Sequence, residues 1–238
     1  MATSPIDLHW NLTTPEVGSD GNAKTYPMSA LPTLDNAYFH ITDDYIQFWA
    51  PVAGLTTAKS VKTRSELREY LADGSGEQNW LGTGGNHAMG ASLIIDDVPD
   101  VPASKGSVFV GQIHADGGDS PLFKFKYQSE GTTGRMIASF RPDPDGDASD
   151  TVVTSGIAAG ARIQYYVKVS SAGLLSAYVE VNGVRQTFSG DLKVWLQKRP
   201  TQQFYFKAGV YNNAEPDTST GSNDGSKARF YKLTTTHA

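Results

Sequence analysis

Three short segments of this 238-residue chain carry side chains whose types and spacing could hold an anion and move a proton. Successive side chains of a β-strand point to opposite faces, so residues two apart share a face. In VKTRSELREY, Lys62, Arg64, Glu66 and Arg68 fall together, three cations and one carboxylate, with Val61, Thr63, Ser65 and Leu67 opposite. In SVFVGQIHA, Gln112 and His114 share a face while Ile113 turns the other way with Val110. In QFYFKAGVYN, Tyr205, Lys207, Gly209 and Tyr211 alternate with Phe204, Phe206, Ala208 and Val210. Guanidinium and ammonium groups bind anions, an imidazole accepts a proton and a phenol donates one. Each piece also has a plainer reading. A charged alternating strand is ordinarily an ion-paired surface, a lone histidine a structural one, and a lone tyrosine a packing residue.

The elements that must position these residues read as strands. Alternating or β-branched and aromatic runs cover Tyr38 to Ala50, Ala91 to Val98, Ser107 to Ala115, Leu122 to Gln128 and Arg135 to Arg141. They continue at Ala161 to Ser170, Leu174 to Val181, Val184 to Ser189, Gln203 to Tyr211 and Ala228 to Leu233, and no long helix is indicated. Asn182-Gly183 supplies the positive φ angles of a two-residue hairpin turn. Two long loops, Leu71 to Gly90 and Asn212 to Ser226, follow motif strands and are expected to act as lids, with Trp80 placed to stack on a ligand or to pack internally. The acidic run Asp143 to Asp150 lacks the glycine position of a calcium loop and reads as a solvated turn between strands.

Length and composition suit one large all-β domain, with 24 glycines and 12 prolines punctuating short strands. There is no cysteine, hence no disulfide and no thiolate metal site. No apolar stretch approaches a membrane span, and MATSPIDLHW lacks the pattern of a secretory signal. A net charge of −5 argues against a broad nucleic-acid surface, so a polyanionic ligand must find a local cluster of arginine and lysine.

RSELRE at Arg64 to Glu69, QIH at Gln112 to His114 and YFKAGVYN at Tyr205 to Asn212 resemble, in order, the three signature blocks of polysaccharide lyase family 7, the alginate lyases. The resemblance implies a jelly-roll β-sandwich of two antiparallel sheets whose concave face binds a 1,4-linked polyuronate. It implies a secreted enzyme, acting as a monomer without metal or cofactor, whose partner is alginate and neither nucleic acid nor membrane. Family members usually carry Gln after the third block, where this chain has Asn213, a change expected to adjust a subsite. The isoleucine of QIH, Ile113, leans the expected preference toward guluronate-containing blocks.

β-Elimination on such a polymer must neutralise a carboxylate, remove the weakly acidic proton at C5 and protonate the departing O4. Arg64 and Gln112 are the expected neutralisers, His114 the base, kept neutral by neighbouring cations, and Tyr211 the acid. For mannuronate, whose C5 proton lies on the other side of the ring, Tyr211 is expected to serve in both roles. Lys62, Glu66, Arg68, Tyr205 and Lys207 are expected at the substrate-binding surface, with Glu66 orienting the arginines. The rival readings are a non-catalytic, lectin-like carbohydrate-binding sandwich and a glycoside hydrolase. The hydrolase would need two opposed carboxylates, where only Glu66 stands out.

Overall fold

The aromatic and β-branched runs pair into two antiparallel sheets in the computed structural model, which describes residues 9–100, 106–118, 120–218 and 220–238. In chain order the first strands are β1 (Trp10–Val17), β2 (Ala23–Tyr26), β3 (Phe39–Ile41), β4 (Ile46–Pro51), β5 (Arg64–Glu69), β6 (Trp80–Leu81), β7 (His87–Asp97) and β8 (Ser107–Ala115). They are followed by β9 (Pro121–Ser129), β10 (Thr133–Phe140), β11 (Ser149–Ala158), β12 (Ile163–Val169), β13 (Leu174–Val181), β14 (Val184–Asp191), β15 (Gln203–Asn212) and β16 (Gly225–His237). One short helix, α1 (Lys193–Lys198), precedes β15. The first sheet runs β11-β10-β9-β8-β15-β5-β1-β2, with β6 paired beside β15, and the second runs β14-β13-β12-β7-β16-β4-β3. This is the expected all-β jelly-roll sandwich, and the three motif segments are its adjacent strands β5, β15 and β8.

Alternation on β15 follows the sequence pattern: Phe204, Phe206, Ala208 and Val210 are all 0% exposed. Burying each large apolar side chain contributes roughly 1.5–3 kcal/mol, which commits this face to the core and leaves the polar one outside. Phe125 meets Tyr165 of the opposite sheet with ring centroids 4.7 Å apart. Beneath β5 the two sheets are also tied by polar contacts. His237 Nε2 lies 2.9 Å from Glu69 Oε1, His237 Nδ1 lies 2.8 Å from His87 Nδ1, and Trp80 stacks on His87 at 4.4 Å.

The sequence reading put Ile113 on one face with Val110, although residues three apart fall on opposite faces under strict alternation, and both are indeed buried. Bulges reconcile them. The register of β8 with β9 shifts between Phe109 and Gly111, and that of β15 with β8 shifts between Ala208 and Tyr211. Tyr165 Oη donates a 2.9 Å hydrogen bond to the Val110 carbonyl, and a Cβ on Gly111 would lie only 2.7 Å from that hydroxyl. Gly209, on the other bulged strand, has φ +139, and a Cβ there would lie 2.5 Å from the Ser65 carbonyl oxygen. Each bulge thus turns on a glycine that permits close approach.

Several expectations need correction. The run Tyr38 to Ala50 is two strands, because Thr42 N donates to the Tyr45 carbonyl and turns the chain between β3 and β4. β1 and β11 were not anticipated: Pro15 interrupts the apolar pattern of β1, and β11 is an edge strand with few buried positions. Trp80 is 3% exposed and packs on His87, Phe204 and Phe206, so it stacks on no ligand. The Asn182-Gly183 turn forms as read, with φ of 53 and 77. In the acidic run, Asp143 and Asp145 bind Lys198, and Asp145 also binds Arg199.

Gly209→Ala should destabilise the protein by at least about 2 kcal/mol through forced backbone movement, lowering Tm by roughly 4–8 °C for a domain of this size. Gly76→Ala, where a Cβ meets nothing within 4 Å, is the control and should leave Tm unchanged. Scanning calorimetry of the two variants checks this, and equal melting temperatures would remove Gly209 from its role.

Candidate active site

The outward faces of β5, β15 and β8 converge because the strands are in register. Tyr211 pairs with Arg64, Gly209 with Glu66, Lys207 with both Arg68 and Gln112, and Tyr205 with His114. At this crossing lies a cleft of about 330 Å³ lined by Arg64, Gln112, His114, Tyr205, Lys207 and Tyr211. Its walls add Thr57, Lys59 and Ser60 from the segment before β5, Gly118 from the β8–β9 turn, and Pro121 and Lys124 from β9.

Glu66 organises the floor. It is 2% exposed and accepts hydrogen bonds from Gln112 Nε2 and from Arg64 Nη1 (3.3 Å), and it pairs with Lys207 Nζ. Burial alone would raise its pKa, but Lys207 and Arg64 outweigh burial and hold the carboxyl below the ordinary range. Lys207 is drawn below the usual lysine value by burial, against the pull of Glu66. Glu66 therefore sits beneath the cleft and does not line it, which corrects its expected place at the substrate surface.

His114 is mostly buried beside the Tyr205 ring, with centroids 5.4 Å apart. Its Nδ1 lies 3.0 Å from the Ala115 carbonyl, which can only accept, so Nδ1 carries the proton and Nε2 is left with a lone pair. Its pKa is lowered to about 4, chiefly by burial and secondarily by Lys207 and Arg64. His114 is thus neutral as expected, but for a reason ranked differently from the sequence reading, which credited the cations alone. Burial also pushes the Tyr205 phenol up to about 12, keeping it a hydrogen-bond donor.

Tyr211 Oη lies 3.2 Å from Ser60 Oγ, and the Arg64 guanidinium stacks 4.1 Å from its ring centroid. Lys124 was missed by the sequence reading, since PLFKFKY presents it as one of two ordinary outward lysines. Its neighbour Lys126 is paired with Asp150, whereas no carboxylate among the described residues lies within 4.0 Å of Lys124. Lys124 rests 3.9 Å from the Phe109 ring centroid, and burial, assisted by Lys62, lowers its pKa to about 8.

Two expected binding residues lie elsewhere. Lys62 precedes β5 and reaches Asn213 Oδ1 at 3.4 Å, because the strand starts only at Arg64. Arg68 is engaged by Glu77 (2.9 Å), Asn79 (2.8 Å) and the Tyr205 ring (3.8 Å), so it buttresses Tyr205 instead of facing the cleft. Ile113 is 0% exposed, so any effect on substrate preference is not by contact. Among the described residues, neither 71–90 nor 212–226 lines the cleft, and Asn212 is locked by Ala50, Pro51 and Thr63, contrary to the lid expectation.

A family model described as alginate lyase matches residues 6–237. The chain belongs to the alginate lyase family. An alginate lyase from Pseudomonas aeruginosa superposes with a TM-score of 0.81 at 36% identity, over 97% of this chain and 99% of that one. Alginate lyase A1-II′, a member of polysaccharide lyase family 7, is 30% identical over 99% of both chains with a TM-score of 0.76. A Klebsiella pneumoniae alginate lyase, 24% identical over 98% and 96% with a TM-score of 0.85, shares the fold. No curated protein matched the chain. Family membership makes this alginate lyase an enzyme and removes the non-catalytic lectin-like reading. The hydrolase reading has no pair of opposed carboxylates to rest on, since no acidic residue lines the cleft among the described residues.

With its pKa depressed to about 4, the His114 imidazole stays deprotonated from neutral pH down through the range where an ordinary histidine would be charged. The acid limb of kcat/KM should therefore fall near pH 4 and be absent near pH 6.5. A limb near 6.5 in the pH profile would show that His114 titrates as an exposed imidazole.

Proposed function

We propose that this alginate lyase cuts the polymer internally by β-elimination, leaving a 4,5-unsaturated sugar at each new non-reducing end. One observation carries the substrate reading. On a chain of net charge −5, the cleft is lined by four cations, Lys59, Arg64, Lys124 and Lys207, and by no acid among the described residues. Such a cleft concentrates a polyanion that the protein as a whole repels. Structures of the A1-II′ relative in complex with a GGG product and a GGMG substrate support an alginate oligosaccharide as the ligand. An extracellular place of action goes with a polymer of this size.

Arg64 and Gln112 take the carboxylate of the sugar being cut, spreading the charge that develops as C5 is deprotonated. His114 receives the C5 proton of guluronate on Nε2, the nitrogen its Ala115 contact leaves free. Tyr211, held by Ser60 Oγ, donates its phenolic proton to O4 as the C4–O4 bond breaks. The substrate complex of the relative was obtained with a variant carrying His→Asn and Tyr→Phe changes, the two residue types given these tasks. Lys124 and Lys207 hold flanking carboxylates. Internal cutting is supported by the absence of segments 71–90 and 212–226 from the cleft walls among the described residues. A preference for guluronate-containing blocks is supported by the GGG product of the relative.

Alginate treated with the enzyme should gain the ultraviolet absorbance of a conjugated double bond. Tyr211→Phe, which keeps the ring's packing, should lower turnover on every block type by roughly 10²–10⁴-fold, whereas His114→Asn should affect polyguluronate far more than polymannuronate. A folded Tyr211→Phe protein that retains wild-type rates would remove the acid assignment. Lys124→Ala should leave kcat within about twofold and raise KM about 10-fold, the worth of one charge-assisted contact. An unchanged KM would exclude Lys124 from binding.

A further inference from the structure

The outer face of the second sheet carries an arrangement that the cleft does not use. Across β16, β7, β12, β13 and β14, one row in register reads Thr234, Gly90, Tyr166, Tyr178 and Thr187. The Tyr166 and Tyr178 rings stack at 5.4 Å and 17°, and the Arg185 guanidinium covers Tyr178 at 3.8 Å. Glu180 neutralises that guanidinium at 2.8 Å. Tyr166, in contrast, borders the position where Gly90 has no side chain. A Cβ on Gly90 would lie 3.4 Å from Tyr166 Cδ2 and 3.7 Å from Thr234 Oγ1. The result is a slot of about 180 Å³ with Tyr166 on one wall, Thr234 and Lys232 on the other, and Ser92 and Gln164 along its length.

An aromatic wall facing a ring of hydroxyl and amide groups suits a pyranose, whose C–H face packs on tyrosine while its hydroxyls are hydrogen-bonded. Lys232 lines the slot and Lys168 stands two residues from Tyr166 on the same face, and neither has a carboxylate within 4.0 Å among the described residues. Two uncommitted cations beside a sugar-sized slot select an acidic sugar over a neutral one.

We infer that the slot over Gly90 is a second, non-catalytic binding site for a uronate residue of the polymeric substrate. It rests on the alginate lyase reading and extends it. Because the slot and the cleft lie on the outer faces of opposite sheets, the two engage different stretches or different chains of polymer. Occupancy of the slot keeps the enzyme near uncut polymer and raises the effective concentration of substrate at the cleft.

The test uses full-length Tyr211→Phe protein as a slow-cutting background and an alginate tetrasaccharide as probe. Isothermal titration should give two sites per chain. Tyr166→Ala or Lys232→Glu added to this background should leave one site with its affinity unchanged. Lys232 is exposed, so Lys232→Glu keeps the test valid if Tyr166→Ala does not fold. In the otherwise wild-type enzyme the same changes should leave tetrasaccharide cleavage unaltered and slow the attack on a calcium-alginate gel about 10-fold. One site per chain in the background protein overturns the proposal, as do two sites that survive both changes or a neutral mannan tetrasaccharide that fills the second site equally well. Absence of any ultraviolet product from the wild-type enzyme would instead overturn the lyase reading, and the titration would still decide the slot.

Discussion

The ion pair of Glu66 with Lys207, buttressed by Arg64 and Gln112, is the contact on which the site is built. A carboxylate with 2% exposure survives only if its lost hydration is replaced, and here three side chains from three adjacent strands replace it. The exchange works in both directions. Glu66 fixes the orientation of the guanidinium, amide and ammonium that must later meet substrate, so they are already arranged before any sugar arrives. Gly209 makes room by bringing β15 against the backbone of β5 where a side chain would collide. The bulges on β8 and β15 then turn Gln112, His114 and Tyr211 to one side without exposing Val110 or Ile113.

The same arrangement separates two charges of opposite use. The cleft presents cations and, among the described residues, no acid, because the Glu66 carboxylate that pairs with Lys207 and Arg64 is sealed beneath it. Elsewhere several acids are matched with cations, as Asp143 and Asp145 are with Lys198, or Asp96 with Arg229. Lys124 is the exception that marks function. Its neighbour two residues on has Asp150, whereas it has only an aromatic face and the open cleft.

Much of this was legible because period-two alternation is a direct projection of a strand onto sequence. The β15 face could be read residue by residue, as could the Asn182-Gly183 turn, whose backbone geometry only a few residue types adopt, whereas on β8 the bulges break the alternation. Legibility failed where a partner outside the local pattern decides. Arg68 belongs on the outer face as read, yet Glu77 and Asn79 from the segment that follows β5 draw it away from the cleft. Lys124 looks like Lys126 until Asp150 is seen to make its ion-pair contact with the latter. Trp80 sat in a segment rich in glycine, which suggests a lid, but Phe204, Phe206 and the His87 ring claim it for the core. β1 was hidden by Pro15, and β11 by its exposure at a sheet edge.

The position of β16 has a consequence for how the molecule comes into being. The strand lies in the middle of the second sheet, bonded to β7 along one side and to β4 along the other, and it follows in the chain every strand it joins. Until it emerges from the ribosome, β3 and β4 have no connection to β7, β12, β13 and β14, and one layer of the sandwich is two separate ribbons. At about 5–20 residues added per second, the earlier strands wait with their apolar faces uncovered. Closure must therefore follow synthesis of nearly all of the described chain. The long-range pairing that completes it belongs to the slow, high-contact-order class of folding reactions.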